Sequence, residues 1–337
     1  MRNRIVTVFG GSGFIGRHLV QRLAERGAVV RVAVRDPEDA LYLKPMGEIG
    51  QIVPMAASVT DPASIARAVA GADAVVNLVG ILSEWGKRTF QRIHVEGAKN
   101  VAEAAAAAGA RSLIHVSALG ADPDSPSAYA RTKAGGEAAV KDAFPGAVII
   151  RPGVIFGPED NFFNLFAGLT RFTPVLPVFG CPTLPKLTFF GEHGPLHVDI
   201  YGDGGSRMQP VYVGDVAEAI AVVLDDPSME SLTLELGGPG VYSYKALMEL
   251  LLKTIGRRRL LLPYPFALAR MHAWFLEKWP TPLITRDQLR LLERDNVVAE
   301  TALGFKDLGL KPKPAEAILP TYLKRFRPVG QPSTAAA

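Results

Sequence analysis

Short apolar runs rich in β-branched residues alternate with longer segments of helical periodicity from residue 4 to about residue 155. The runs read RIVTVFG, AVVRVAVR, QIVPM, DAVVNLVG, RSLIHVS and AVIIRPG, and the helical segments between them cover 14–26, 38–46, 62–70, 88–108 and 126–143. Apolar strands that alternate with helices indicate a parallel sheet with helices on both faces. The pattern therefore predicts an α/β fold with a doubly wound, Rossmann-like parallel sheet.

The pattern changes after residue 155. Residues 172–197 are dense in Pro, Gly and Phe, which predicts an irregular insertion. A strand and a helix follow over 208–226, and short helical stretches separated by prolines begin near residue 240. We therefore predict a nucleotide-binding domain over 1–155, to which 208–226 returns. The second part is a smaller, mostly helical C-terminal lobe over 156–207 and 227–337, for docking a substrate or a partner.

A glycine-rich turn follows the first predicted strand, in the stretch VFGGSGFIGRHL over residues 8–19. Gly10, Gly13 and Gly16 fit a dinucleotide-binding turn, where they allow a tight turn, close approach of a pyrophosphate and close helix packing. The amides of Phe14 and Ile15 would face the phosphates at the helix N-terminus. A tight turn without a ligand is the alternative.

The end of the second strand indicates which dinucleotide would bind. An acidic residue there favours the ribose 2′-hydroxyl of NAD(H), whereas an arginine accommodates the 2′-phosphate of NADP(H). The strand VVRVAVR ends in Arg35, with Asp36 next. Because a guanidinium pairs well with phosphate, Arg35 favours NADP(H), while Asp36 keeps NAD(H) as the alternative.

The stretch YARTK places Tyr129 and Lys133 four residues apart on one face of the fifth predicted helix. In a reductase, such a lysine lowers the pKa of the tyrosine and binds the nicotinamide ribose, and the tyrosine acts as a general acid or base. The pair follows a glycine loop and six strand–helix alternations, which makes a nucleotide site the favoured interpretation.

The chain resembles the short-chain dehydrogenase/reductase superfamily, of the extended or atypical kind. The motifs GGSGFIG, NLVG, YARTK, RPGVIFGP and QPVYVGDVAEAI occur in that superfamily's order, over about residues 4–226. The resemblance implies NADP(H) binding and adds further cofactor contacts at Ser12, Leu78, Val79, Gly80 and Pro152.

Active members of that superfamily carry a Ser or Thr hydroxyl at the end of the fifth strand, where it polarises the substrate carbonyl. Here the segment reads HVSALGADP, and Ala118 and Leu119 occupy the places where extended members have the hydroxyl. Ser117 ends the strand one position earlier, either as a weak catalytic candidate or as a hydroxyl that bonds the local backbone. The resemblance therefore leaves open whether any hydride transfer occurs.

Three stretches resemble the family of NADPH-binding accessory subunits of respiratory complex I, namely 129–167, QPVYVGDV at 209–216 and TPLITRDQLRLLERDN at 281–296. This resemblance implies a largely structural nucleotide, other subunits of a membrane-associated complex as partners, and a C-terminal lobe that docks at the membrane edge. The insertion around 181–207 is longer than the resemblance implies. A free NADP(H)-dependent reductase or epimerase, acting in quinone metabolism, is the alternative.

The C-terminal third is basic. Residues 240–337 contain 16 Lys and Arg against 8 Asp and Glu, whereas residues 1–239 contain 21 against 25. The clusters RRR at 257–259 and KRFR at 324–327, with the aromatic and basic stretch at 260–280, suit an anionic lipid surface or a partner groove. A solvated basic rim is the alternative. No nucleic-acid-binding module is recognisable, so we expect no nucleic acid partner.

Composition narrows the class of protein. The single cysteine, Cys181, excludes an internal disulfide, and His193 and His272 have no ligand companions at metal-binding spacing, so we predict no metal site. No run of about 18 residues is continuously apolar, and the first strand begins by about Ile5, which predicts no transmembrane segment or signal peptide. We expect a cytoplasmic protein, peripheral on the cytoplasmic face of the inner membrane.

Overall fold

The structure, a computed structural model, describes residues 1–182, 186–191, 194–279 and 282–328, and for 186–191 and 194–198 it describes the backbone alone. The chain divides into two compact units. The first contains 1–153, 213–237 and 298–312, and the second contains 154–212, 238–297 and 313–337.

The first unit is built on a seven-stranded sheet of β1 (Ile5–Phe9), β2 (Val29–Val34), β3 (Ile52–Ala56), β4 (Ala74–Asn77), β5 (Ser112–Val116), β6 (Val148–Pro152) and β13 (Thr233–Leu236). The strands lie in the order β3-β2-β1-β4-β5-β6-β13. All six neighbouring pairs are parallel. The strand order reverses between β1 and β4, which creates a crevice at the carboxyl ends of these two strands.

Helices cover both faces of this sheet, which confirms the predicted doubly wound α/β fold. Three helices pack on one face over a core that includes Phe9, Ile65 and Ile149: α2 (Pro62–Val69), α3 (Gly97–Ala107) and α4 (Ala128–Ala143). Two helices that contact each other extensively cover the other face: α1 (Phe14–Glu25) and α6 (Val213–Asp225).

Two predicted helices differ in type from an α-helix. Residues Glu38–Met46 form a 3-10 helix, which contains Pro45. The segment predicted as one helix over 88–108 begins with a π-helical stretch, Gln91–Glu96, and continues as α3. A single π-type insertion widens a helix locally and is frequent at functional sites.

The described residues of the second unit form five α-helices and several paired strands. The sequence predicts a mostly helical lobe here. The helices are α5 (Phe163–Leu169), α7 (Tyr244–Ile255), α8 (Phe266–Leu276), α9 (Arg286–Leu292) and α10 (Ala315–Leu323), followed by a 3-10 turn at Lys324–Phe326. The strands are β7 (Ile155–Phe156), β8 (Val175–Phe179), β9 (Lys186–Gly191), β10 (Gly194–Asp199), β11 (Arg207–Met208), β12 (Val211–Tyr212), β14 (Tyr242–Ser243) and β15 (Leu260–Tyr264).

The prediction of an irregular insertion over 172–197 is wrong in part, because the described residues include β8, β9 and β10. β8 pairs in parallel with β15, and β9 pairs with β10. The parts of this insertion at 183–185 and 192–193, with His193, lie outside the described residues.

The boundaries between the units also differ from the predicted ones. β13 lies in the predicted lobe, but it extends the large sheet beside β6, with Leu234 and Leu236 fully buried. Residues 298–312 belong to the same unit. The segment 208–226 is predicted to return to the first unit, but only its α6 part belongs to that unit. The preceding strand, β12, pairs with β7 of the second unit. Among the described residues, no helix is both long enough and apolar enough to span a bilayer.

Candidate nucleotide site

The glycine loop connects β1 to α1 at the carboxyl end of the central strand. Gly10 has a φ of +77° and its amide donates to the Ala33 carbonyl at 3.1 Å. A Cβ on Gly16 would lie 2.3 Å from the Gly10 carbonyl oxygen, so the helix packs against the turn only with glycine there. The turn therefore has two positions that other residues would disrupt, as a dinucleotide-binding loop requires.

The first turn of α1 is open to an anion. Gly13 is the N-cap residue of this helix. Within the described chain, no side chain caps the helix N-terminus, and the first turn contains no acidic residue. A Cβ on the exposed Gly13 would meet only the Gly10 carbonyl oxygen, at 3.1 Å, so the space beside the backbone is otherwise clear. Uncapped amides at a helix N-terminus are a ready-made site for phosphate. Ser12, Phe14 and Ile15 are half-buried around this turn.

The 3-10 helix Glu38–Met46 covers one side of the glycine loop. The Tyr42 hydroxyl donates to the Ser12 carbonyl at 2.8 Å, and the Arg17 guanidinium lies 5.3 Å from the centre of the Tyr42 ring. These contacts anchor the loop from the side of β2.

Arg35 and Asp36 are both exposed immediately after β2, but they differ in their contacts. The Asp36 carboxylate accepts from the amide of Glu38, the first residue of the 3-10 helix, at 3.0 Å. Within the described residues, Arg35 makes no hydrogen bond or ion pair. The guanidinium is therefore available to a phosphate, whereas the carboxylate already has a structural role.

The loop after β4 forms the facing wall. A Cβ on Gly10 would lie 3.4 Å from Val79 Cγ2 and 3.5 Å from the Leu78 carbonyl carbon, so the two loops touch. The Asn77 side chain accepts from the Val79 amide at 3.1 Å and holds this loop in place. Leu78, Val79 and Gly80 therefore lie at the crevice, beside the glycine loop.

Tyr129 and Lys133 lie in the first half of α4, as the sequence predicts. Lys133 is buried and its ammonium donates to the Val116 carbonyl at 2.9 Å. Burial lowers the pKa of Lys133 to about 8, opposed by the charge of Glu137. Burial raises the pKa of Tyr129 to about 12. The tyrosine pKa therefore moves in the direction opposite to that expected for an activated general acid or base.

At the end of β5, the two residues after Ser117 carry no hydroxyl that could polarise a substrate carbonyl. Leu119 is buried, and its amide donates to the Pro152 carbonyl at 3.0 Å. Ser117 is itself buried, and its hydroxyl has no hydrogen-bond partner among the described residues. The expected bond to local backbone is therefore not present, and this hydroxyl is a polar group that a ligand or water would satisfy.

Two features near α4 are absent from the sequence prediction. His94, in the π-helical stretch, accepts from the Ile81 amide, and no local sequence signal marks it. Glu137 forms a two-point contact with Arg151 at 2.9 and 2.7 Å, one helical turn beyond Lys133. The described residues contain no group of three or more potential metal ligands.

The comparisons with known proteins agree with this geometry. Residues 10–160 match a family model described as NAD(P)H-binding. The chain is 36% identical over 338 residues to the mitochondrial NADH dehydrogenase (ubiquinone) 1 alpha subcomplex subunit 9 of Arabidopsis thaliana, covering 97% of this chain and 79% of that protein. The chain belongs to this subunit 9 family. Residues 10–153 of the NAD(P)H-binding match lie in the first unit.

A further sequence relative and one solved structure extend the comparison. A ceramide reductase of Caulobacter vibrioides is 39% identical over 176 residues, covering 52% of this chain and 53% of that protein. The crystal structure of an NADPH-dependent quinone oxidoreductase of Escherichia coli, complexed with NADPH, has a TM-score of 0.70 at 20% identity, covering 95% of this chain and 99% of that chain. The latter likeness supports the fold alone.

Proposed function

We propose that this subunit 9 family member is an NADP(H)-binding accessory subunit of respiratory complex I, in which the nucleotide is a largely structural ligand. The observation that carries the proposal is the combination of near end-to-end similarity to a named complex I subunit with a glycine loop open to an anion. Other subunits of the membrane-associated complex are the proposed partners.

Particular residues would hold the nucleotide. The exposed backbone at Gly13 and the amides of Phe14 and Ile15 suit the pyrophosphate, and the free guanidinium of Arg35 suits a 2′-phosphate. The carbonyl-anchored Lys133 supplies a cation to the ribose at the other end. Bound NADPH can supply a hydride. The roles of the chain's own residues at this site are to bind and orient the nucleotide.

The α4 side of the crevice supports a structural role for the nucleotide. Ala118 and Leu119 offer no side-chain hydroxyl to polarise a carbonyl, and the raised pKa of Tyr129 opposes proton transfer. Removing a single oxyanion donor typically costs about 100-fold to 1,000-fold in rate. A ligand at 100 times its dissociation constant, in contrast, stabilises a fold by about 2.7 kcal/mol whether or not it reacts.

We further infer that the second unit contacts an anionic lipid surface. Three acid-free segments of this unit, 170–172, 253–259 and 324–327, carry eight Lys and Arg side chains. Backbone contacts bring the segments together, because Arg259 donates to the Thr170 carbonyl at 2.7 Å and Arg257 to the Phe326 carbonyl at 2.9 Å. Within the described chain, none of the eight pairs with a carboxylate.

Exposed apolar side chains border this basic surface. Phe172, next to Arg171, is 86% exposed, and Leu260, next to Arg259, is 66% exposed. Cations beside exposed aromatic and aliphatic side chains favour a membrane interface, where each cation near an anionic surface contributes about 1 kcal/mol. This arrangement supports a peripheral position on a membrane, which we propose to be the cytoplasmic face of the inner membrane. Sedimentation with anionic and neutral vesicles tests it, and Arg258→Glu with Lys324→Glu should abolish the anionic preference. A single charge reversal in the first unit, Lys99→Glu, should leave the preference for anionic vesicles intact.

The experiment for the nucleotide is mass spectrometry of what gently purified protein releases. We expect NADPH or NADP⁺ in a near-stoichiometric amount, together with sedimentation of the chain in a large membrane-associated complex. Release of NAD(H), or of no nucleotide, contradicts the cofactor assignment. A chain that stays entirely in the soluble fraction contradicts the subunit assignment.

A second candidate is a free NADP(H)-dependent reductase. The 39% identity to a ceramide reductase over half of the chain favours it, and so does the intact Tyr129–Lys133 pair. In that case the purified chain alone should oxidise NADPH in the presence of a lipid carbonyl compound or a quinone, and Tyr129→Phe should abolish that activity.

A further inference from the structure

His94 joins the loop after β4 to helix α4. Its Nε2 accepts from the Ile81 amide at 3.1 Å, and its Nδ1 lies 3.1 Å from the Thr132 hydroxyl oxygen. The first contact is at the end of the loop formed by Leu78, Val79 and Gly80. The second lies on the turn of α4 that contains Tyr129 and Lys133.

These contacts require one protonation state of the ring. An amide only donates, so Nε2 has to be the unprotonated nitrogen. The Thr132 hydroxyl donates to the Ala128 carbonyl at 2.8 Å, so it accepts the proton of Nδ1. Burial, with the nearby charge of Lys133, lowers the pKa of His94 to about 3. The neutral ring with its proton on Nδ1 therefore persists at physiological pH.

The ring lies between the two walls of the crevice. It stacks on Phe90 at a centroid distance of 5.2 Å, and its edge contact with Tyr129 spans 5.3 Å. A Cβ on Gly80 would lie 3.8 Å from both His94 Nε2 and Lys133 Nζ. The π-helical stretch Gln91–Glu96 is the local feature that holds this histidine, which is 1% exposed.

We propose that His94 is a positioning residue that fixes the distance between the 78–81 loop and the Tyr129–Lys133 turn, and thereby sets the affinity for the nicotinamide-ribose half of NADP(H). This inference rests on the proposed nucleotide-binding function. The adenine half is assigned to the glycine loop and Arg35, which make no hydrogen bond or ring contact with His94 among the described residues. A loss of the His94 contacts should therefore affect the two halves of the ligand unequally.

Calorimetric titration of the full chain with NADPH and with adenosine 2′,5′-bisphosphate, which lacks the nicotinamide half, tests this. We expect His94→Ala to weaken NADPH binding about tenfold, the equivalent of one lost hydrogen bond, and to leave binding of the bisphosphate unchanged. His94→Gln, which can both accept and donate, should restore much of the NADPH affinity. Thr132→Val should likewise weaken binding of NADPH and leave binding of the bisphosphate unchanged. His272→Ala, an exposed histidine of the second unit, is the control.

If His94→Ala weakens the binding of both ligands equally, His94 has a general structural role and the inference is overturned. An unchanged affinity for NADPH also overturns it. If His94→Ala does not fold, His94→Gln and Thr132→Val carry the same comparison. If the wild-type chain binds neither ligand, the NADP(H) assignment itself fails, and this inference fails with it. Binding of the bisphosphate with no gain from the nicotinamide half overturns the inference alone.

Discussion

At the glycine loop the backbone forms the site, whereas at the Tyr129–Lys133 turn the side chains do. The loop leaves the first turn of α1 uncapped, and Arg35, which follows β2, makes no hydrogen bond or ion pair within the described residues. On α4, in contrast, Lys133 is bonded to the Val116 carbonyl, and burial raises the pKa of Tyr129. One region is open to an anion, and the other is engaged with the protein itself.

This difference separates binding from catalysis. Phosphate recognition requires amide groups and cations that have no better partner, and the glycine loop region has both. General acid–base chemistry requires a group with a pKa near the working pH and a donor for the reacting oxygen. In the second region burial raises the pKa of Tyr129 to about 12, and Ala118 and Leu119 after β5 carry no hydroxyl for the reacting oxygen. We therefore favour a bound nucleotide that is not turned over.

The largest effect is expected at Gly13. Gly13→Val places a branched side chain where a Cβ already lies 3.1 Å from the Gly10 carbonyl oxygen, beside the amides of the first helical turn. Loss of two charge-assisted hydrogen bonds of about 1.5–3 kcal/mol each weakens NADPH binding by about 100-fold or more. Calorimetric titration measures it, with Gly146→Val, whose nearest neighbour would be 3.6 Å away, as the control. Unchanged binding would mean that the loop is only a turn.

Arg35 should have a smaller and selective effect. Arg35→Ala should weaken NADPH binding by about 1.5–3 kcal/mol, the range for a hydrogen bond to a charged group, and leave NADH binding unchanged. Lys99→Ala, an exposed cation elsewhere in the same unit, should change neither affinity. Equal affinity of the wild-type chain for NADPH and NADH would contradict the role of Arg35.

The α4 side of the crevice should make stability depend on pH. Burial lowers the pKa of His94 to about 3, and that of His115 also falls well below its ordinary value of 6.5, with Lys133 adding to both shifts. Below 6.5 the unfolded chain binds protons that the folded chain does not. The free energy of unfolding should therefore fall by about 1.4 kcal/mol per pH unit for each histidine.

Thermal unfolding between about pH 7 and about pH 5 measures this loss. His94→Gln should reduce the slope, because one of the two buried histidines is gone, whereas His272→Gln should not. A melting temperature independent of pH over this range would show that neither histidine is held in the neutral form.

The smallest effect is expected at the Tyr129 hydroxyl. Tyr129→Phe should leave NADPH binding, complex assembly and respiratory activity close to those of the wild type, because no proton transfer is assigned to it. Lys133→Met keeps the volume of the side chain but removes the ammonium, and should reduce the NADPH-induced rise in melting temperature. Thermal unfolding with and without NADPH compares the two variants. A loss of respiratory activity in Tyr129→Phe alone would favour catalysis.

The sequence predicts the sheet and the glycine loop well because both depend on local patterns. Apolar runs define β1 to β6, and the turn after β1 needs glycine at positions that can be read directly. β13 is missed because TLEL is short and follows a segment without a clear pattern; its place is determined by pairing with β6. The strand VLPVF is likewise hidden among prolines and forms through its partner, β15.

The site is predictable only where its residues are adjacent in sequence. Tyr129 and Lys133 share one helix, so their spacing is visible. His94 acts through Ile81 and Thr132, which are 13 and 38 residues away, and through a π-helical stretch that helical periodicity does not reveal. The directions of the pKa shifts depend on burial in the folded unit, which no local pattern provides.

The redox state of the bound NADPH, followed during quinone reduction by the gently purified, membrane-associated complex, distinguishes a structural nucleotide from a reacting one. We expect the bound NADPH to stay reduced over many turnovers, in the wild type and in Tyr129→Phe alike. Oxidation of the bound NADPH at the rate of turnover, lost in Tyr129→Phe, would contradict the structural role and make this chain an active reductase.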